Sequence, residues 1–499
     1  MEAYRVEITI GFVGVYMLFC IVVGIWAMRR THNSSDFFVA GRGLGPVVLA
    51  LAVFSTTLSG FGFVGGPGLV YSAGMSSMWM VAVSSIGYAL GFFLISKRIR
   101  MIAGVRNSLS LPDVVAARYD SEWVRGLTAL TILLGVMGYL ATQILAMALV
   151  LQSILSATTF FADVSLVSCV VMSLGVLIFY SVTGGIVASV YTDLVQGAIM
   201  MLAGLLILIT ASMVFDGGLL EVSQTIFEDD AEAAMPFGTM GMVTCIGWAF
   251  VFGLGLSGQP HLITKMMMNR SIADNRKIFP LSLIGYAFAA LLWLSVGVVM
   301  RAAVIGGDIA PLAASDAAAP VFLAIFAHPL LAGVVFAALF AAIMSTSDAF
   351  LNIGTAAVVH DIPRMWRGRS LDNELFWARI VTVLITLVAA SFALYSYYEN
   401  ARLVALLGAF GWSTFAAAIV PLVVIGFNWK RATARAAVTA IVSSLLINFS
   451  IEIFSIQLPY GVSGGFLAII TSLSLFVLVS MFDRRKHTLA ADIDRIMDL

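Results

Sequence analysis

The sequence predicts an all-α polytopic membrane protein of about 13 transmembrane helices built on an inverted repeat, and three observations carry that prediction. Of 499 residues, 61% are hydrophobic and 11% charged, and mean hydropathy is +1.02, values of a chain that crosses a bilayer many times. Lysine and arginine gather in alternate loops, as they do when one set of loops faces the cytoplasm. Two apolar stretches are interrupted by glycine and proline in corresponding places, the mark of a transporter whose site lies between two related halves.

Apolar runs of about 20 residues or more fall at roughly 8–28, 46–74, 76–96, 126–153, 164–183, 190–214, 239–265, 278–305, 321–359, 376–397, 402–427, 434–455 and 461–482. The first has acidic residues before it and Arg29 and Arg30 after it, the reverse of a signal peptide, so it reads as a retained span. In the ninth, a short outer helix is expected before His328-Pro329 and the span proper from about Leu330.

The loop charges orient these spans. Arg29, Arg30 and Arg42 follow the first; Lys97, Arg98, Arg100, Arg106, Arg118 and Arg125 the third; Lys265, Arg270, Arg276 and Lys277 the seventh. Arg364, Arg367, Arg369 and Arg379, then Lys430, Arg431 and Arg435, and finally Arg484, Arg485, Lys486 and Arg495 fall on the same side. The other side keeps Arg5, Arg301 and Arg402, and its largest loop, Asp216 to Phe237, carries Glu228-Asp229-Asp230 and no basic residue. The rule therefore places the N-terminus outside and the C-terminus inside.

No loop is long enough for a soluble domain. The chain divides into an extra helix and loop (1–45), a first repeat (46–214), a second repeat (239–427), and C-terminal helices with a short tail (428–499). Zero net charge gives no pointer to nucleic acid. Cys20, Cys169 and Cys245 lie in apolar runs without disulfide or metal spacing and read as packing residues. No His/Glu metal spacing or Ser/His pair occurs at membrane depth, which argues against an enzyme.

The stretch Leu51 to Gly74 cannot be one helix: Gly60, Gly62, Gly65, Gly66, Pro67 and Gly68 interrupt it just after Ser55, Thr56, Thr57 and Ser59. Freed backbone groups at membrane depth must face protein or a polar cavity. Its counterpart is the seventh span, broken at Gly253, Gly255, Gly258 and Pro260; the two share Leu58-Ser59-Gly60 and Leu256-Ser257-Gly258. An offset of five spans gives the halves opposite topology.

Ser345, Thr346, Ser347 and Asp348 stand about 15 residues past Leu330, roughly 22 Å along a helix. Ala342, Ser345 and Thr346 share a face. Hydroxyls facing the freed carbonyls near Ser55 and Leu58 would supply about five neutral oxygens, which suits Na⁺ better than a divalent ion. The plainer reading is that these hydroxyls bond back to their own helix. Asp348 and Asp193 are intramembrane acids and so candidates for cation passage; Asp193 could equally be a solvated helix-start residue. His261 reads as a packed hydrogen-bonding residue rather than a proton relay. Tyr139 and Phe252 could line a solute cavity or simply pack.

The segments SSDFFVAGRGLGP (Ser34 to Pro46), LSGFGFVGGPG (Leu58 to Gly68), SLPDVVAARYDS (Ser110 to Ser121), YSVTGGIVASVYTDLVQ (Tyr180 to Gln196), GQPH (Gly258 to His261) and AAIMSTSDAFL (Ala341 to Leu351) together resemble the sodium/solute symporter family, nearest its sodium/proline and sodium/pantothenate branches. The resemblance implies a LeuT-like five-plus-five inverted repeat. It implies a sodium site from the carbonyls of Ser55, Leu58 and Ala342 and the hydroxyls of Ser345 and Thr346, with Asp193 near the inward sodium exit. Asp348 falls where some members place part of a second sodium site, but Ala349 lacks the hydroxyl of two-sodium members. For solute the resemblance implies Ser59, Gly60, Tyr139 and Phe252; Thr57 and Phe252 replace an aspartate and a tryptophan of the proline branch.

The function expected is a Na⁺-coupled symporter that imports a small organic solute, an amino acid or small carboxylate, by alternating access in the plasma membrane, a bacterial inner membrane. A positive helix end at a break, with unpaired N–H groups, would hold the solute. The rivals are a proton-coupled transporter of the same fold and a solute sensor without flux.

Overall fold

The computed structural model describes residues 4–158, 160–399, 403–483 and 489–499; Arg402, Arg484, Arg485 and Lys486 lie outside them. Every apolar stretch of the sequence contains helix, but the stretches and the helices do not correspond one to one. Among the described residues nine helices are long and apolar enough to cross a membrane, and four apolar helices are shorter. The broken stretches explain two of the short ones, Pro46–Ser55 and Gly241–Leu254. Two long elements each join two stretches through a glycine at positive φ: Gly74 (φ 59°) within Gly66–Val105, and Gly185 (φ 51°, ψ −143°) within Leu166–Ser212. Only glycine reverses the chain so cheaply in the left-handed region.

The elements that build the site are α1 (Arg5–Met28), α2 (Pro46–Ser55), α3 (Gly66–Ala73), α4 (Leu111–Tyr119), α5 (Glu122–Leu155), α6 (Leu166–Ser212), α7 (Gly241–Trp248), α8 (Pro260–Met266), α9 (Asn275–Ile305), α10 (Pro329–Ala356) and α11 (Glu374–Glu399). Their ends follow local chemistry. Pro46 starts α2 where its missing N–H costs nothing, and the Ser110 and Ser121 side chains cap α4 and α5. The short outer helix expected before His328 is Ala318–Ile325, and the His328 side chain caps α10.

The centre of the bundle is α10. It is buried at every position from Ala337 to Ala357, whereas only 28% of the apolar window of α1 is buried. A helix apolar all round belongs in the middle, and α10 packs on α6, α1 and α5. Its Ser345 to Asp348 therefore cannot face lipid.

Candidate cation and solute site

α2 ends at Ser55, and the chain does not become helical again until the wide π-helical turn Phe61–Gly65. The carbonyls between are turned toward α10. Ser345 Oγ donates to the Ser55 carbonyl at 3.0 Å and lies 3.0 Å from the Ala342 carbonyl. Thr346 Oγ1 lies 3.0 Å from the Ala342 carbonyl, 3.5 Å from that of Leu58 and 3.3 Å from that of Thr56. The structure thus gathers Ser55, Leu58, Ala342, Ser345 and Thr346, all fully buried, and adds the Thr56 carbonyl, which the sequence reading omits. Around a cation with oxygens at roughly 2.4 Å, ligands at right angles stand about 3.4 Å apart. The donor set is hard, neutral and dry, and fits one monovalent cation. Back-bonding is the whole account of Ser347, whose Oγ donates to Ile343 at 2.7 Å; Ser345 and Thr346 have both kinds of partner.

Asp193 is no solvated helix-start residue. It is fully buried, and its Oδ2 accepts from Lys265 Nζ at 2.6 Å. Lys265, counted among the inner-loop charges by sequence, is 1% exposed. Its ammonium also donates to the Ala52 carbonyl at 2.9 Å and to Thr56 Oγ1 at 3.2 Å. The chain thus supplies a fixed cation one turn from the oxygen cage. Asp348 accepts from Tyr180 at 2.7 Å and Ser189 at 2.9 Å, so its carboxylate points to α6 and away from the α2 carbonyls. The His261 ring packs edge-on against Phe350, centroids 4.6 Å apart.

The expected solute residues meet on the other side of the break. Tyr139 donates to Ser59 Oγ at 2.9 Å, and Thr57 Oγ1 shares a 2.5 Å hydrogen bond with the Tyr88 hydroxyl. Thr57, Ser59, Tyr139, Phe252, Trp293 and Trp412 border a cavity of ≈ 40 Å³. Packing and lining are both true of the aromatics: the Tyr139 ring is 4.7 Å from Phe350 and 6.3 Å from Trp412, centroid to centroid. Trp293 lies so close over Gly62 and Gly66 that added Cβ atoms would stand 2.7 and 2.4 Å from its indole. One N–H expected to be open for solute is not: Gly60 donates to Gln143 Oε1 at 2.8 Å. Gln143 went unread in the sequence, though it stands four residues after Tyr139, hence on the same helix face. Its Nε2 has no hydrogen-bond partner among the described residues.

Gly60 lies instead on a second, larger cavity of ≈ 580 Å³ that Phe252 also borders and whose walls include Asp316 and Glu452. On the side of the basic loops the chain is laced shut. Leu44 N donates to Met268 at 3.2 Å, Arg270 N to Leu44 at 3.1 Å and Arg100 Nε to Asn269 at 2.7 Å. Asp113 collects Arg125, Arg364 (2.9 Å) and His360 (2.8 Å), and His360 meets Glu374 at 2.7 Å. Burial pushes the Asp113 carboxyl up, but the His360 hydrogen bond and the charges of His360 and Arg125 outweigh it and hold it below the usual carboxylate range. Asp113, His360 and Asp361 are close enough to hold a metal ion. With two guanidinium groups already on Asp113, the arrangement is an ion-pair node instead.

The model of the sodium:solute symporter family matches residues 37–443. The osmoregulated proline transporter OpuE of Bacillus subtilis is 28% identical over 495 residues, covering 96% of each chain. The sodium/proline symporter of Escherichia coli is 28% identical over 453 residues, covering 87% of this chain and 85% of that one. Among solved structures, a substrate-bound, outward-open Na⁺-coupled sialic acid symporter superposes with a TM-score of 0.80 at 19% identity, covering 95% of this chain and 98% of that one. A nucleobase-cation-symport-1 family transporter gives 0.56 at 14%, covering 94% and 99%. These likenesses establish an all-helical, LeuT-like transporter fold.

Proposed function

The chain belongs to the sodium:solute symporter family, and from that premise we propose that it imports a small organic solute, held at the Thr57 to Gly60 break, driven by Na⁺ bound to Ser55, Leu58, Ala342, Ser345 and Thr346. The observation that carries this is the oxygen cage: two hydroxyls of α10 stand 3.0–3.5 Å from carbonyls that the broken helix has released. An ion there joins α2 to α10, and the same break carries Thr57 and Ser59 to the solute cavity, so ion and solute favour one arrangement of the helices. One positive charge moving down 100 mV contributes about 2.3 kcal/mol to accumulation.

The solute is an amino acid or small carboxylate with an apolar body. Among the described residues the cavity walls are half aromatic, carry the hydroxyls of Thr57, Ser59 and Ser84, and contain no lysine or arginine, and the spare Gln143 amide is a neutral donor beside the break. The relatives transport proline by name, which makes proline the first compound to try. The thirteen apolar stretches are the transmembrane segments of a plasma-membrane protein, N-terminus outside, with repeats 46–214 and 239–427 around the site; the loop charges support this orientation.

Thr346→Ala tests the cage. Uptake into proteoliposomes should need about 10- to 100-fold more Na⁺, the loss of one ligand to a charge. Unchanged uptake and unchanged sodium dependence would remove Na⁺ from this site, and wild-type uptake that follows a proton gradient without Na⁺ would make the proton the coupling ion. Solute binding without accumulation would make the protein a sensor.

A further inference from the structure

Two carboxylates and one ammonium lie buried around the oxygen cage: Asp193, Asp348 and Lys265. Lys265 spends its three N–H bonds on Asp193 Oδ2 (2.6 Å), the Ala52 carbonyl (2.9 Å) and Thr56 Oγ1 (3.2 Å). Ala52 is one turn before Thr56 on the helix end that furnishes the cage, and the Thr56 carbonyl is itself 3.3 Å from Thr346 Oγ1. The other Asp193 oxygen, Oδ1, has no hydrogen-bond partner among the described residues, and Ser189, one turn before Asp193 on α6, donates to Asp348 at 2.9 Å. Cage, ammonium and both carboxylates therefore form one connected cluster.

Its charges can be summed. With both carboxylates ionised, they and the one ammonium leave a single negative charge, and the cage oxygens add none. One monovalent cation brings the cluster to neutrality. A second would leave a buried positive charge without a partner, which a low-dielectric interior strongly disfavours. Lysine suits the task, being a compact point charge on a long flexible stem. The ion-pair node at Asp113 stays outside the sum, because Arg125, Arg364 and His360 already pair with it.

We propose that Lys265 is a tethered cation at Asp193, in the place that a second mobile ion would take, and that it sets coupling at one Na⁺ per cycle. This rests on the sodium reading of the cage. The test is equilibrium ²²Na⁺ binding to the purified full-length protein, which counts ions without transport. The wild type and Lys265→Arg should bind one ion with a Hill coefficient near one. Lys265→Met should bind two, with a higher Hill coefficient. Asp193→Asn should weaken the single ion at least about tenfold, because Lys265 then neutralises Asp348 alone. The double variant Lys265→Met/Asp193→Asn restores the net charge and should restore one ion at near wild-type affinity. A single ion at unchanged affinity in Lys265→Met, or a double variant no better than Asp193→Asn, would overturn the proposal. If Lys265→Met does not fold, the comparison of Asp193→Asn with the double variant decides. Absence of Na⁺ binding by the wild type would instead overturn the sodium reading itself.

Discussion

The two broken helices carry the same tripeptide, Leu-Ser-Gly, and do different things. At the first break three groups are answered by other helices: the Ser55 carbonyl by Ser345, the Gly60 N–H by Gln143, the Ser59 hydroxyl by Tyr139. At the second the chain closes largely on itself. Ser257 Oγ donates to Leu254 at 2.6 Å, Gly258 N to Gly255 at 3.0 Å, and Gln259 Nε2 to Gly255 at 3.2 Å, with a further bond from Gln259 Nε2 to the Trp412 carbonyl at 3.3 Å. A break thus becomes a site only where neighbouring helices supply its partners; one that satisfies itself is a bend. The bend still matters, because it aims Phe252 at the solute cavity and lets α8 carry Lys265 under the first break.

The paired glutamines give the largest contrast. Gln143→Leu keeps the volume and strips the Gly60 N–H of its partner at the solute. A buried N–H left unmade costs about 1–3 kcal/mol, so solute affinity should fall about 5- to 100-fold with the sodium dependence nearly kept. Gln259→Leu removes a donor from two carbonyls of the self-closed bend. It should lower thermal stability by a similar energy and move solute affinity by less than about threefold. Equal losses of solute affinity in both variants would mean that the second break is part of the binding surface. Smaller is Ser59→Ala, which takes the acceptor from the Tyr139 hydroxyl. About 1 kcal/mol, or roughly fivefold in the solute concentration for half-maximal uptake, is expected.

Much of this contrast was legible in the sequence, and its limits have a physical cause. Glycine clusters, the adjacent hydroxyls and the STSD run of α10 are local features, so both breaks and the five cage residues could be named. The partners are not local. Lys265 lies 72 residues from Asp193, and a lysine at a span's end looks the same whether it turns to water or inward. One signal was there: Met266, Met267 and Met268 follow it before the next basic residue, Arg270, an apolar sequel that a solvated loop does not need. Gln143, 83 residues from Gly60, was an amide in a largely apolar helix whose purpose only the fold reveals. The Asp113 node joins residues up to 251 apart, and its arginines were read only as inside charge. The merging of stretches into single helical elements was not legible for the same reason: whether two apolar stretches turn at a glycine or run on depends on what that glycine packs against.

The least disruptive test is also the most direct one for the idea that matching sequence need not mean matching work. Ser257→Ala is the counterpart of Ser59→Ala, at the same place in the shared tripeptide. Its hydroxyl donates only to its own chain, at Leu254, and a hydroxyl bonding back along its own helix adds little stability and tends to bend it. Ser257 is 3% exposed, so the alanine fits the same space without the polar atom. Solute and sodium half-saturation should therefore stay within about twofold of wild type, and stability within about 0.5 kcal/mol. A loss as large as that of Ser59→Ala would show that the hydroxyl leaves Leu254 during the cycle to meet the solute or another helix, and the second break would then be a moving part rather than a fixed bend.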